Sequence, residues 1–248
     1  MEQFVKQYQE DCIGFIRFGN PAGNSLPSNL LNEINNGLRS LENDSGIKVI
    51  VLESEGDRAF CGGASLSEMK MLKNLEEATA FFMGFAKVIN TIRTLTKFCI
   101  ARVQGKVVGG GVGLVAACDY VHAHEKASVK LSELSIGIGP YVIAPAVTRK
   151  IGATALSVLS MDAHEWKSAL WAMEKGLYTA VHPTQGQLDK AVLKTAHRLE
   201  NYAPKAVESL RKLHWEGTDH WKDLLPKNAE ITGNLALGDA TQNILKTL

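Results

Sequence analysis

Arg58-Ala59-Phe60-Cys61-Gly62-Gly63-Ala64 and Gly105-Lys106-Val107-Val108-Gly109-Gly110-Gly111 decide how this chain is read. Each stretch follows residues that read as a strand, and each leads into a helical pattern. A strand-to-helix turn made of glycine lets backbone N–H groups approach a ligand beside a helix N-terminus. One such turn also closes ordinary loops. Two of them, about fifty residues apart, suggest a pair of N–H donors converging on one oxygen. That geometry holds negative charge as it develops on a carbonyl.

Outward from these turns, strand and helix patterns alternate. Phe4 to Tyr8 and Cys12 to Phe18 read as strands, and Asn20-Pro21-Ala22-Gly23-Asn24-Ser25 as a turn cluster. Ser28 is placed to cap a helix carrying Leu30, Leu31, Ile34 and Leu38, and Ser65 to cap the helix after the first glycine turn. Val49 to Glu53, Cys99 to Val103 and Tyr120 to Ala123 are further strands. Helical patterns run through Leu66, Met69 and Leu72, through Ala80 to Leu95, and through Leu114 to Ala117. This order implies an α/β fold. From Ala153 onward the pattern reads as almost wholly helical. Asp162 is the cap candidate of one helix, and Ala203-Pro204 opens another with Val207, Leu210 and Leu213 on one face. An amphipathic end of this kind packs on the core or on a neighbouring subunit, and a homo-oligomer is expected.

The bulk numbers exclude several classes. With 248 residues, 45% hydrophobic, 21% charged and a net charge of +1, the chain has the composition of a soluble globular protein. It carries no basic field for nucleic acid, so the expected partner is a small molecule. Cys12, Cys61, Cys99 and Cys118 form no CxxC pair and no metal-ligand spacing, which points to a reducing, cytoplasmic setting and to no metal. Cys61 reads as a small filler in a tight turn rather than a nucleophile, since no histidine stands beside it. His122 and His124 share one strand face without a third ligand and read as structural. Trp215 and Trp221 read as helix packing. The start of the chain lacks the pattern of a signal peptide. Its longest apolar run, Val107 to Ala117, is too short and glycine-broken to span a bilayer.

Together with Ser132-Glu133-Leu134-Ser135-Ile136-Gly137, the two glycine stretches stand in an order and spacing that resembles the enoyl-CoA hydratase/isomerase, or crotonase, superfamily. The resemblance runs from Asn20-Pro21 through Ala144 and into the helical end. It implies a spiral of ββα turns over residues 1–185, a C-terminal helical oligomerisation region over 186–248, and a homotrimer or dimer of trimers. The implied substrate is an acyl-CoA thioester, with no cofactor beyond the coenzyme A it carries. Position by position, the resemblance implies that Ala64 and Gly110 supply the two oxyanion-hole amides and that Glu133 is the acid/base. Apolar neighbours of Glu133 (Leu131, Leu134, Ile136) should raise its pKa toward neutrality. Arg58 falls where the family carries a basic residue near the CoA phosphates. Gly62 falls at the backbone position near the adenine end, and Gly109 and Tyr141 complete the candidate substrate-contacting set.

Two departures bear on the reaction. Hydratases of this family normally carry a first glutamate three positions after the second glycine of the turn, and here that position is Gly113. Beyond Glu133, a glycine-rich stretch is replaced by Pro140-Tyr141-Val142-Ile143-Ala144, which should narrow the space beside the glutamate. A tyrosine at 141 is no ionised base near pH 7. These features fit a one-glutamate enoyl-CoA double-bond isomerase. The alternatives are a hydratase of the 3-methylglutaconyl-CoA type, and a degenerate acyl-CoA binding protein.

Overall fold

In the computed structural model, which describes residues 2–247, the chain threads alternately through two sheets. β1 (Phe4–Glu10) and β2 (Ile13–Gly19) form an antiparallel hairpin, and α1 (Ser28–Asn43) follows. One unit then recurs three times. The first holds β3 (Val49–Ser54), β4 (Ala59–Cys61), α2 (Leu66–Met69) and α3 (Leu75–Thr94). The second holds β5 (Phe98–Val103), β6 (Lys106–Val108) and α4 (Gly110–Ala117). The third holds β7 (Tyr120–His124), β8 (Ser128–Lys130), a 3-10 turn (Leu134–Ile136) and α5 (Ala144–Met161). The first strand of each unit joins a six-stranded sheet, where β3, β5 and β7 lie parallel. The second joins a four-stranded sheet, where β4, β6 and β8 lie parallel. The result is a spiral of ββα turns.

Burial explains the central strands. All six residues of β3 are buried, as expected of a parallel strand covered on both faces. Alternate side chains serve the two sides. Ile50 and Leu52 pack with Leu30, Leu31, Ile34 and Leu38 of α1, whereas Val49 and Val51 pack with Leu188 and Val192. The strand crossings between sheets are pinned by buried amides. Asn24 Nδ2 donates to the Glu55 and Ala59 carbonyls at 2.8 and 2.7 Å, and Gln104 Nε2 donates to Ser54 Oγ at 2.8 Å.

The C-terminal part corrects the expectation of an unbroken helical end. β9 (Lys167–Ser168) pairs antiparallel with β8, α6 (Ala169–Glu174) follows, and β10 (Ala180–His182) extends the large sheet parallel to β7. Strands of two and three residues are too short to show a period. α7 (Gln185–Leu199), α8 (Pro204–His214), α9 (Trp221–Leu237) and α10 (Asp239–Thr247) complete the chain. Asp162 ends α5 rather than starting a helix: its N–H donates to Val158 O, and its carboxylate accepts from Lys167 Nζ. Ser28 is the first residue of α1, not its cap, and its N–H donates to Glu68 Oε2 at 2.8 Å. Ser65 does cap α2, accepting from the Glu68 N–H.

α8 turns a different face inward from the one its apolar residues suggest. Val207 is buried, but Leu210 and Leu213 are exposed, and Arg211 is only 1% exposed. Helix C-termini leave carbonyls without intrahelical donors, and Arg211 serves those at the end of α3. Its Nη2 donates to Ile92 O at 2.9 Å, its Nη1 to Leu95 O, and its Nε to the Asp119 carboxylate at 3.1 Å. Arg211→Ala should therefore cost about 3–5 kcal/mol, since it strands the largely buried Asp119. Urea denaturation measures this, and a loss below about 1 kcal/mol would show the network to be dispensable.

Candidate active site

The first glycine turn is braced by the turn cluster at 20–25. The Gly62 N–H donates to Asn24 O, and a Cβ on Gly62 would lie 2.8 Å from Gly23 O. Leu26 then bridges Ala64 in parallel: its N–H donates to Gly63 O at 2.8 Å, and its carbonyl accepts from the Ser65 N–H at 3.3 Å. The pleat therefore turns the Ala64 N–H away from Leu26, and it has no acceptor among the described residues.

In the second turn, Gly109 has φ 52° and ψ −121°, a conformation that favours glycine, and its N–H donates to Lys130 O. Gly110 opens α4, so its N–H is one of the helix's orphan donors and likewise has no acceptor among the described residues. The two turns are in contact. A Cβ on Gly111 would lie 2.6 Å from Cys61 Cβ, and one on Gly110 would lie 2.4 Å from the Phe85 ring. Cys61 fills that contact. Burial pushes its thiol up to about 12, which leaves it no thiolate character at neutral pH.

Ala64 and Gly110 line one cavity of about 110 Å³ together with Gly62, Gly109 and Glu133. Glu133 follows β8 and precedes the 3-10 turn, which Gly137 ends with φ 84°. It is 9% exposed, its Oε2 has no hydrogen-bond partner, and its Oε1 would lie 3.1 Å from a Cβ placed on Gly109. Burial lifts its carboxyl from 4.5 to about 7, against a smaller opposing pull from its own backbone N–H. Two free amides and one near-neutral carboxyl share the cavity. Such a set can hold an enolate oxygen and move a proton at the adjacent carbon.

Two residues of the candidate substrate-contacting set lie outside the cavity wall. Tyr141 does not line the cavity: it is 40% exposed, its ring packs on Gly139, and its carbonyl accepts from Asn228 Nδ2 at 2.8 Å. The chain turns sharply after Pro140, so Val142 and Ile143 point inward in its place. Arg58 is exposed beside β4, outside the cavity wall, and its carbonyl accepts from the Lys106 N–H. Lys106 is also exposed, with its ammonium 4.9 Å from the Trp166 ring. Sequence reading missed Met69, Phe82, Phe85 and Thr232 as wall residues. Phe82 and Phe85, three apart on α3, carried a helical-face signal for two of these four contacts.

The histidines form a separate structural joint. His122 Nδ1 lies 2.9 Å from His182 Nε2, and His122 Nε2 lies 2.9 Å from Thr195 Oγ1, tying β7 to β10 and α7. Burial first, then His182 and Arg198, hold the His122 imidazole down at about 4, so it stays neutral. Among the described residues no group of three or more His, Cys, Asp or Glu is placed to hold a metal ion. No helix there is long and apolar enough to cross a membrane.

The sequence profile described as enoyl-CoA hydratase/isomerase matches residues 8–231. The mitochondrial enoyl-CoA hydratase of Pongo abelii is 30% identical over 191 residues, 75% of this chain and 63% of that protein. The mitochondrial methylglutaconyl-CoA hydratase of Rattus norvegicus is 33% identical over 139 residues, 55% of this chain and 44% of that protein. The crystal structure of an enoyl-CoA hydratase from Bacillus halodurans superposes with a TM-score of 0.91 at 20% identity, covering 98% of this chain and 99% of that one, a likeness of fold.

The buried carboxyl sets a pH dependence of stability. Its folded pKa lies above its unfolded value, so the folded state binds the proton more tightly and stability falls as pH rises from about 4.5 through about 7. Glu133→Gln removes that penalty. It should be more stable than the parent by on the order of 3 kcal/mol at pH 8, and by less than about 1 kcal/mol at pH 5. Urea denaturation at both pH values checks this; an equal difference at the two would refute the buried-charge account.

Proposed function

The chain belongs to the enoyl-CoA hydratase/isomerase family, and from that membership we propose that it is a one-glutamate enoyl-CoA isomerase. The substrate is a 3-enoyl-CoA thioester. Its carbonyl oxygen accepts hydrogen bonds from the Ala64 and Gly110 N–H groups. The Glu133 carboxylate takes a proton from C2, and the electron pair moves onto the thioester oxygen as an enolate. The same carboxyl, now protonated, returns that proton at C4 while the double bond settles between C2 and C3. A pKa of about 7 suits both halves of this shuttle. Losing one oxyanion donor typically costs ~10²–10³ in rate, so the amide pair matters as much as the base.

The observation that carries this reading is the contact at Gly113. A Cβ there would lie 2.4 Å from Ile143 Cγ2, 2.6 Å from Ile143 Cβ and 3.1 Å from Ile89 Cδ1. The space for a first hydratase glutamate is therefore filled by isoleucine, and among the described residues Glu133 is the one ionisable side chain in the cavity wall. Adding water across a double bond calls for a water held and activated while the α-carbon receives a proton. A single carboxyl in an apolar wall is better matched to moving one proton between two carbons.

Arg58 and the neighbouring Lys106, both exposed, are the residues we assign to the CoA phosphates. No cofactor is required beyond the substrate's coenzyme A. We further assign a cytoplasmic homotrimer or dimer of trimers, with residues 186–248 as the assembling region. The exposed Leu210, Leu213 and Ile231 on α8 and α9 support that assignment.

Supplied separately with 3-enoyl-CoA and 2-enoyl-CoA, the protein should migrate the double bond of the first and form little 3-hydroxyacyl product from the second. Fast hydration would favour the hydratase reading, and acyl-CoA binding without exchange of α- or γ-protons would favour a binding protein. Isomerisation by the parent should rise with pH about a midpoint near 7, as the base ionises. Glu133→Gln should lower kcat by about 10³-fold while acyl-CoA binding persists; steady-state kinetics and calorimetry test the pair, and joint loss would assign Glu133 to folding instead.

A further inference from the structure

The cavity has a mouth and a closed end. Ala64, Gly110, Ser132 and Ile136 are half-buried at the mouth, and Leu66 beside them is 39% exposed. Met69, Phe82, Phe85, Val142, Ile143 and Thr232 are all buried and close the other end. A thioester carbonyl seated on the Ala64 and Gly110 amides lies at the mouth. Its acyl tail must then run inward, between the phenylalanines of α3 and Thr232 of α9.

That inner wall has nothing to offer an anion. Among the described residues no Lys, Arg or His lines the cavity. The Thr232 hydroxyl already donates to Asn228 O at 2.8 Å, so its proton is committed. The wall's one ionisable group is Glu133, whose charge is negative when it acts as a base. A carboxylate carried into this end loses its water and gains no donor or counter-charge in return. A methyl or isopropyl end loses nothing and buries apolar area.

We propose that the site takes acyl-CoA thioesters with a short, uncharged hydrocarbon tail and rejects those whose tail ends in a carboxylate. The proposal rests on the acyl-CoA reading of the cavity, and it separates this chain from the relative named for methylglutaconyl-CoA, whose acyl group carries a second carboxylate.

Saturated thioesters test it without chemistry. Succinyl-CoA and 4-methylpentanoyl-CoA have tails of nearly the same shape, one ending in a carboxylate and the other in a neutral isopropyl group. Binding of each to the full chain at pH 8, measured by calorimetry, should favour the neutral ligand by at least ~100-fold. Affinities within about threefold would overturn the proposal while leaving the isomerase assignment intact. A ~100-fold preference in a protein that moves no double bond would uphold the tail rule and defeat the isomerase assignment. Should neither thioester bind more tightly than free CoA, both fall together.

Discussion

Close backbone approach at two glycine turns is the constraint on which the site depends. Gly111 rests against Cys61 and Gly110 against Phe85, at distances that leave no room for a Cβ. Because the turns touch, Ala64 and Gly110 come from separate strand-to-helix units yet line one cavity. Rigid main-chain donors of this kind need no reorganisation when charge develops, the condition under which electrostatic stabilisation is greatest. Glycine here fixes a distance between two units of the spiral.

The carboxyl of Glu133 shows the opposite economy. Burial without a partner for Oε2 destabilises its ionised form, and so the folded state at alkaline pH. The same burial brings its proton affinity close to neutral pH, where a general acid or base works best. Stability surrendered at one residue sits beside a core that secures the remainder: β3 buried on both faces, and Arg211 tied to the end of α3. Local destabilisation of a reactive group inside a well-packed frame is the usual arrangement at functional sites.

Much of this was legible in the chain itself. The long apolar strands, the glycine turns and Glu133 all announce themselves through period, composition or motif, and the structure brings Ala64, Gly110 and Glu133 into one cavity. The small sheet was less visible, because β4, β6, β8 and β9 are two or three residues long and owe their pairing to edges formed elsewhere. Side-chain direction was not legible after Pro140: the turn there puts Val142 and Ile143 in the cavity wall and leaves Tyr141 exposed. Arg211 hid for another reason. Its burial is settled by carbonyls more than a hundred residues away in sequence, which no local pattern records.

Thr232 supplies part of the cavity wall, yet it follows the other wall residues in sequence, on a helix laid against α3 through Gly233 and Ala78. A ribosome releases the glycine loops and the glutamate long before that helix emerges. Until α9 docks, the cavity lacks the part of its wall that Thr232 supplies. A chain cut short before α9 would keep that wall open and leave the face of α3 on which α9 packs available to chaperones.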